Sequence, residues 1–158
     1  MRIGYGYDVH KLSDTGGKLI LGGVDIPFPK GLVGHSDADV LIHAVIDAIL
    51  GALAKGDIGQ HFPDTDERYR DIDSRILLRE ITDLMDNTGY EIGNLDATIC
   101  AEKPKLQTYL KKMQENLASD LHTDLWNVSL KATTEEGLGI TGRGKAVTAT
   151  AVVLLKTL

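Results

Sequence analysis

A chain of 158 residues, 42% of them hydrophobic, has the length and apolar content to fold as one domain around one core. Its formal net charge of −6 argues against the basic, phosphate-tracking face that binds DNA or RNA, and excludes nucleic acid as a partner class. A single cysteine, Cys100, excludes an intramolecular disulfide and leaves His, Asp and Glu to supply any metal ligands.

In chain order, residues 2 to 9 read as a strand leading into a loop. Lys18 to Gly22 followed by Val24 to Pro27 reads as a glycine-turned hairpin. From Asp39 to about Ala54, Val40, Leu41, Ala44, Val45, Ala48, Ile49, Ala52 and Leu53 recur at helical spacing, with Gly56 as the stop. A second helix is predicted over Ser74 to Asn87, capped by Asp73 or Ser74, with Ile76, Leu77, Ile81, Leu84 and Met85 inward and Gly89 at its end. A third is predicted from about Leu106 to Leu121. Asn94 to Ala101, Trp126 to Thr133 and Ala146 to Lys156 read as strands, the last two separated by a glycine-rich loop.

No linker, repeat or charge block divides the chain, so residues 1–158 are expected to form a single domain. The pattern predicts an α/β (α+β) fold: a two-layer sandwich whose mixed β-sheet carries its helices on one face. The start MRIGYGYDVH contains no apolar run of signal-peptide length, and no stretch approaches a membrane span. The expectation is a cytoplasmic protein with no membrane partner. An acidic protein that binds a phosphorylated small molecule has to neutralise that charge locally, with metal ions, backbone N–H groups or a few cations.

In Asp8-Val9-His10, the period of a strand points Asp8 and His10 to one side and Val9 to the other. His43 on the first helix would supply a third ligand, giving a His₂Asp set with one coordination position open. The alternative is that Asp8 caps a loop and His43 is a hydrogen-bonded core histidine. Directly before that helix, in His35-Ser36-Asp37-Ala38-Asp39, capping alone accounts for the aspartates, whereas the N–H of His35 suits a phosphoryl oxygen. Asp47 either orients the His43 ring or lies on a solvated helix face. The segment from Gly56 to Asp66 has the glycines, proline and carboxylates of a sugar- or metal-binding loop and equally of a surface turn; His61 within it has no assignable partner. The loop from Thr133 to Lys145 offers hydroxyls, carboxylates and two cations for phosphates and a second metal. Its spacing is not that of a Walker A loop, and G-L-G-I-T-G lacks the helix and acidic ribose reader of a dinucleotide site.

Taken together, GYDVH, GHSDADVLIHAVIDAILGALAKGDIGQHFPDTD, DSRILLRE, NLDATICAEKPKL and VSLKATTEEGLGITGRG resemble the 2-C-methyl-D-erythritol 2,4-cyclodiphosphate synthase family along nearly the whole chain. That family converts 4-diphosphocytidyl-2-C-methyl-D-erythritol 2-phosphate to the cyclic diphosphate with release of CMP, in the non-mevalonate route to isoprenoid precursors. The resemblance implies a zinc or similar divalent ion at Asp8, His10 and His43, and a magnesium or manganese ion at Glu136 between the substrate phosphates. It assigns transition-state stabilisation to His35 and Thr134. Asp8, Val9, His10, His35 and Ser36 fall among its substrate contacts. Asp57, Ile58 and Gly59, with Phe62, Pro63, Asp64, Thr65 and Asp66, match positions around the methylerythritol portion or ribose. Ala101, Glu102, Lys103, Pro104, Lys105, Leu106 and Gln107 match the cytosine pocket, with Lys105 also near phosphate. Thr133, Glu135, Glu136, Ile140 and Arg143 complete the set.

Members of the family are homotrimers with active sites between subunits, and the position of Arg143 lines a threefold-axis cavity where an isoprenoid diphosphate is the implied ligand. The chain departs from the family pattern at Ile140, where a Phe is common, and at Lys145-Ala146, where Glu-Gly is frequent. The residues also admit two competing readings. In a metal-dependent phosphohydrolase, zinc would activate water; a non-catalytic nucleotide- or metal-binding module would leave the cytidylyl substrate unchanged.

Overall fold

The computed structural model describes residues 1–158. In chain order the elements are strand β1 (Arg2–Ser13), the hairpin β2 (Leu19–Leu21) and β3 (Val24–Ile26), strand β4 (Gly31–Val33), helix α1 (Val40–Ala52) and the single turn α2 (Ile58–His61). Helix α3 (Ser74–Asn87), strand β5 (Tyr90–Cys100), helix α4 (Leu110–Asp120), strand β6 (Val128–Thr133), the single turn α5 (Gly139–Gly142) and strand β7 (Ala146–Thr157) follow. Five strands form one sheet in the order β4-β1-β7-β5-β6. All neighbours are antiparallel except β5 and β6, which run parallel, so the sheet is mixed as its uneven strand spacing predicts. No helix is long and apolar enough to cross a membrane.

Alternation along β1 separates the two faces of the sheet. Ile3, Tyr5, Tyr7 and Val9 are exposed on one side, while Gly4, Gly6 and Leu12 are buried on the other with Asp8 and His10 half-buried between them. The helices pack on the second side. Helix α1 is buried over all but Asp47 and Gly51 and joins one continuous cluster of 36 core residues. Its approach to β1 is backbone on backbone: a Cβ built on Gly6 would stand 1.9 Å from the Ala44 carbonyl oxygen, and one on Gly4 would stand 1.8 Å from that of Ala48. Glycine in the strand and alanine in the helix are the residues that allow this contact.

Asp39 anchors the start of α1. Its carboxylate accepts from Ile42 N at 3.1 Å as the helix cap, and from Gly22 N and Gly23 N at 3.0 and 2.8 Å in the β2–β3 turn. Burial and the charge of Asp37 nevertheless push Asp39 up to about 6, against the pull of those N–H groups.

Element boundaries differ from the sequence reading where tertiary packing intervenes. Strand β1 continues past residue 9 to Ser13 because β4 pairs with its end, and β5 begins at Tyr90 rather than Asn94, paired with Thr157. The third helix starts as a 3₁₀ turn at Gln107–Tyr109 before α4. Residues Leu125–Asn127 form another 3₁₀ turn and leave Trp126 95% exposed, so the strand predicted from Trp126 begins at Val128.

The contact between α1 and β1 generates a stability prediction. The Cβ of Gly6→Ala would press on helix backbone that has no side chain to swing aside, so the variant should lose about 3 kcal/mol in urea denaturation; wild-type stability would mean that α1 does not sit on β1 as described.

Candidate metal centre and active-site loops

The register of α1 on β1 sets the first part of the site. Gly6 lies against Ala44, and the neighbouring His43 then reaches Asp8, two residues further along the inward face of the strand. His43 Nδ1 stands 3.0 Å from Asp8 Oδ2, and His10 Nε2 stands 3.2 Å from the same oxygen. One ligand atom each from Asp8, His10 and His43 lies within 4.8 Å of the others. The two rings meet edge-on at 5.4 Å between centroids.

The second nitrogen of each ring is already engaged. His10 Nδ1 faces the Val33 carbonyl at 2.8 Å, which can only accept, so that nitrogen carries the hydrogen and Nε2 is left with its lone pair. Pairing of Lys11 with Val33 places the carbonyl there. His43 Nε2 faces the hydroxyls of Ser74 at 2.8 Å and Ser36 at 3.2 Å. Two imidazole nitrogens and a carboxylate oxygen therefore converge on one point, where only protons or a cation relieve their mutual repulsion. The donor set suits zinc or a similar divalent ion.

Protonation follows the same logic. Burial would raise Asp8, but with no cation present the hydrogen bonds that protonated His10 and His43 donate to it, and their charges, outweigh burial and hold the carboxyl down at about 2. Burial would lower His10, and the Asp8 carboxylate beside it raises it instead. Asp47 does not orient the His43 ring: its carboxylate accepts from Ile58 N at 2.7 Å and ties α1 to α2.

Around this centre, the His35 ring donates through Nε2 to the Asp66 carbonyl at 2.9 Å, and its backbone carbonyl accepts from Asp71 N. Neutral His35 thus spends its one ring N–H inside the protein, and its Nδ1 becomes a donor only in the imidazolium form. Asp57 caps α2, Phe62 packs edge-on against Tyr69 at 5.3 Å, and Asp66 caps a 3₁₀ turn while pairing with Arg68 at 2.7 Å. His61, unassigned from sequence, faces the Lys55 carbonyl at 2.9 Å.

A second group assembles toward the β6 edge of the sheet. Ala101, Glu102, Pro104, Lys105, Leu106 and Gln107 line a cleft of about 190 Å³ with Ala132, Thr133 and Thr134. Thr134 Oγ1 accepts from Glu136 N at 3.3 Å, which leaves its hydroxyl hydrogen free to be donated outward. Glu136 is exposed and sits in the left-handed region at φ 52°, while Glu135 accepts a hydrogen bond from buried Thr141. Ile140 is half-exposed, and Arg143 lines a separate cavity of about 410 Å³ with Lys30, Lys103 and Phe28.

The two groups are apart within one chain. Asp8 pairs with Ala149, Ala149 with Ile99, and Ile99 with Ala132. Three strand spacings of roughly 4.8 Å put the row of Thr133 about 14 Å from that of Asp8. Ser74 is the site residue that sequence reasoning missed. It reads as a helix cap, and nothing near it in sequence signals a histidine partner 31 residues away.

Residues 1–156 match the model of the YgbB family. The chain belongs to the YgbB family. Among curated relatives, the 2-C-methyl-D-erythritol 2,4-cyclodiphosphate synthase of Finegoldia magna is 63% identical over 155 residues, covering 98% of this chain and 97% of that protein. The bifunctional IspDF from Campylobacter jejuni superposes with a TM-score of 0.94 at 40% identity; it covers 99% of this chain, which spans 42% of the bifunctional one. The CDP complex of IspF from Plasmodium falciparum superposes with a TM-score of 0.87 at 37% identity, covering 99% of this chain and 96% of that one. The YgbB assignment agrees with the family resemblance carried by the sequence motifs.

Because a cation binds His10 Nε2 only when that nitrogen carries no proton, zinc affinity should fall as pH drops through the raised range of His10, while Asp8 stays ionised down to about 2. Competition with a chromophoric chelator between pH 8 and pH 5 measures this, and His43→Ala should abolish zinc retention in elemental analysis. A flat affinity across that range contradicts the ligand set.

Proposed function

We propose that residues 1–158 form one cyclodiphosphate synthase domain that converts 4-diphosphocytidyl-2-C-methyl-D-erythritol 2-phosphate to 2-C-methyl-D-erythritol 2,4-cyclodiphosphate and CMP, in the non-mevalonate isoprenoid pathway of the cytoplasm. The observation that carries the reading is the convergence of Asp8, His10 and His43, with both rings oriented by partners behind them, in a chain 63% identical to a curated synthase.

In this reaction an oxygen of the substrate's own 2-phosphate attacks the β-phosphorus, and the bond from that phosphorus to the CMP oxygen breaks with its electron pair leaving on CMP. No protein nucleophile and no activated water are required, so the chain contributes positioning and charge neutralisation. Asp8, His10 and His43 would hold zinc or a similar divalent ion, and Glu136 a magnesium or manganese ion, to neutralise and polarise the substrate phosphates.

Thr134, whose hydroxyl hydrogen is free, donates to the developing phosphoryl charge, and His35, its ring fixed by the Asp66 carbonyl, shares in stabilising the transition state. Val9, Ser36, Asp57, Ile58, Gly59 and the Phe62–Asp66 segment contact the sugar and phosphate portions. The turn from Ala101 to Gln107 reads the cytosine edge through its backbone, and Lys105 faces phosphate.

The 14 Å gap between the rows of Asp8 and Thr133 supports a site completed by two subunits, with the metal residues of one chain facing the cytidine-side residues of its neighbour. The exposed apolar row Ile3, Tyr5, Tyr7 and Val152 offers the sheet face on which a homotrimer closes. Arg143 then lines a cavity on the threefold axis, suited to an isoprenoid diphosphate.

With zinc and magnesium supplied, ³¹P NMR should record equal formation of the cyclic diphosphate and CMP; inorganic phosphate or a linear product would replace cyclisation with hydrolysis. Thr134→Ala should lower kcat by about 10²-fold with KM little changed. Co-expressing His43→Ala chains with the slowed Thr134→Ala chains should raise activity in hybrid oligomers well above that of either variant alone. If both groups served one site within a chain, no combination would recover it.

A further inference from the structure

Behind the metal ligands lies a chain of hydrogen bonds whose direction is set from one end. The Asp37 carboxylate accepts from Ser74 N at 3.0 Å and from Asp39 N at 3.1 Å, and it also accepts the Ser74 hydroxyl hydrogen. A carboxylate can only accept, so Ser74 spends its one hydrogen on Asp37 and turns a lone pair toward His43 Nε2, 2.8 Å away. Two lone pairs facing at that distance repel, so when a cation sits between His43 Nδ1 and Asp8 the ring's hydrogen is held on Nε2, where the Ser74 lone pair accepts it. Ser36 Oγ, farther off at 3.2 Å, accepts from Ala38 N and tolerates the same arrangement. Ser74 is fully buried and His43 nearly so, which keeps water from substituting for the hydroxyl.

We propose that Ser74 and Asp37 are positioning residues for the metal centre: Asp37 orients the Ser74 hydroxyl, and Ser74 holds His43 in the tautomer whose Nδ1 binds a divalent cation. The inference rests on the reading of Asp8, His10 and His43 as ligands. It adds residues that touch neither cation nor substrate. Partners of this kind raise the basicity of a ligating imidazole and fix its ring, and their loss commonly costs ten- to a hundredfold in metal affinity.

The test uses purified, zinc-loaded protein and two variants. Ser74→Ala keeps the backbone N–H that Asp37 accepts and removes only the hydroxyl. Asp37→Asn substitutes a side chain that can donate to Ser74 Oγ, reversing the hydroxyl and offering its hydrogen to Nε2, which favours the wrong tautomer. Both should raise the zinc dissociation constant by about ten- to a hundredfold.

Imidazole proton spectra provide a readout that a purely structural role would not move. The His43 Nε2–H resonance should be sheltered from exchange in wild type and lost in Ser74→Ala, while the His10 Nδ1–H bonded to Val33 persists in both. Wild-type zinc affinity with an intact Nε2–H signal in folded Ser74→Ala would overturn the inference and leave the ligand set standing. A wild-type protein that retains no zinc would overturn the ligand set and the inference together.

Discussion

The contact on which the site depends is the seating of α1 on β1 through Gly4 and Gly6. Helix and strand meet at backbone distance, and the absence of side chains at those positions sets both the height of the helix above the sheet and its register along it. His43 and Asp8 meet because of that register, since each lies next in line after the Gly6–Ala44 contact. A larger residue in the strand would lift the helix and open the cluster even with every ligand still present. Packing and the geometry of the candidate metal site are therefore one constraint, paid for by the conformational cost of two glycines inside a strand.

The short run His35-Ser36-Asp37-Ala38-Asp39 shows how five neighbouring residues take separate tasks from their surroundings. Asp39, sealed in the core, ties the β2–β3 turn to the start of α1. Asp37 turns to α3 and holds Ser74, while Ser36 reaches His43 and His35 holds the segment ending at Asp66. The two carboxylates are close enough that the charge of Asp37 raises Asp39, which shows how tightly acceptors are packed at this junction. An acidic chain can present such a centre to a phosphorylated substrate because local donors and cation ligands, rather than net charge, govern the site.

The sheet separates the candidate metal ligands from the loop bearing Thr134 and Glu136 by two intervening strands, and the helix-free face of β1 carries an exposed apolar row. Both features fit the proposed association of chains. A rigid sheet holds each half of the site at a fixed distance, so association can bring one half against the complementary half of a neighbour without either half moving within its own chain.

The sequence by itself determined what is encoded within a few residues. The helices at Val40–Ala52 and Ser74–Asn87, the β2–β3 hairpin and the common side of Asp8 and His10 all follow from local periodicity and turn chemistry, whereas the choice of Asp39 over Asp37 and of Asp73 over Ser74 as caps does not. The family resemblance supplied the ligand triad as an expectation, because spacing alone left His43 either a ligand or a core histidine. Only the tertiary structure decided that His43 points at Asp8, that Ser74 and Asp37 stand behind it, that Asp47 serves α2 instead, and that Trp126 is an exposed turn residue rather than the start of a strand. Each of those outcomes depends on groups brought together across the fold. Local preferences limit the shapes a segment can take, whereas the partner that satisfies a side chain is chosen when helices and strands close on one another and bury it.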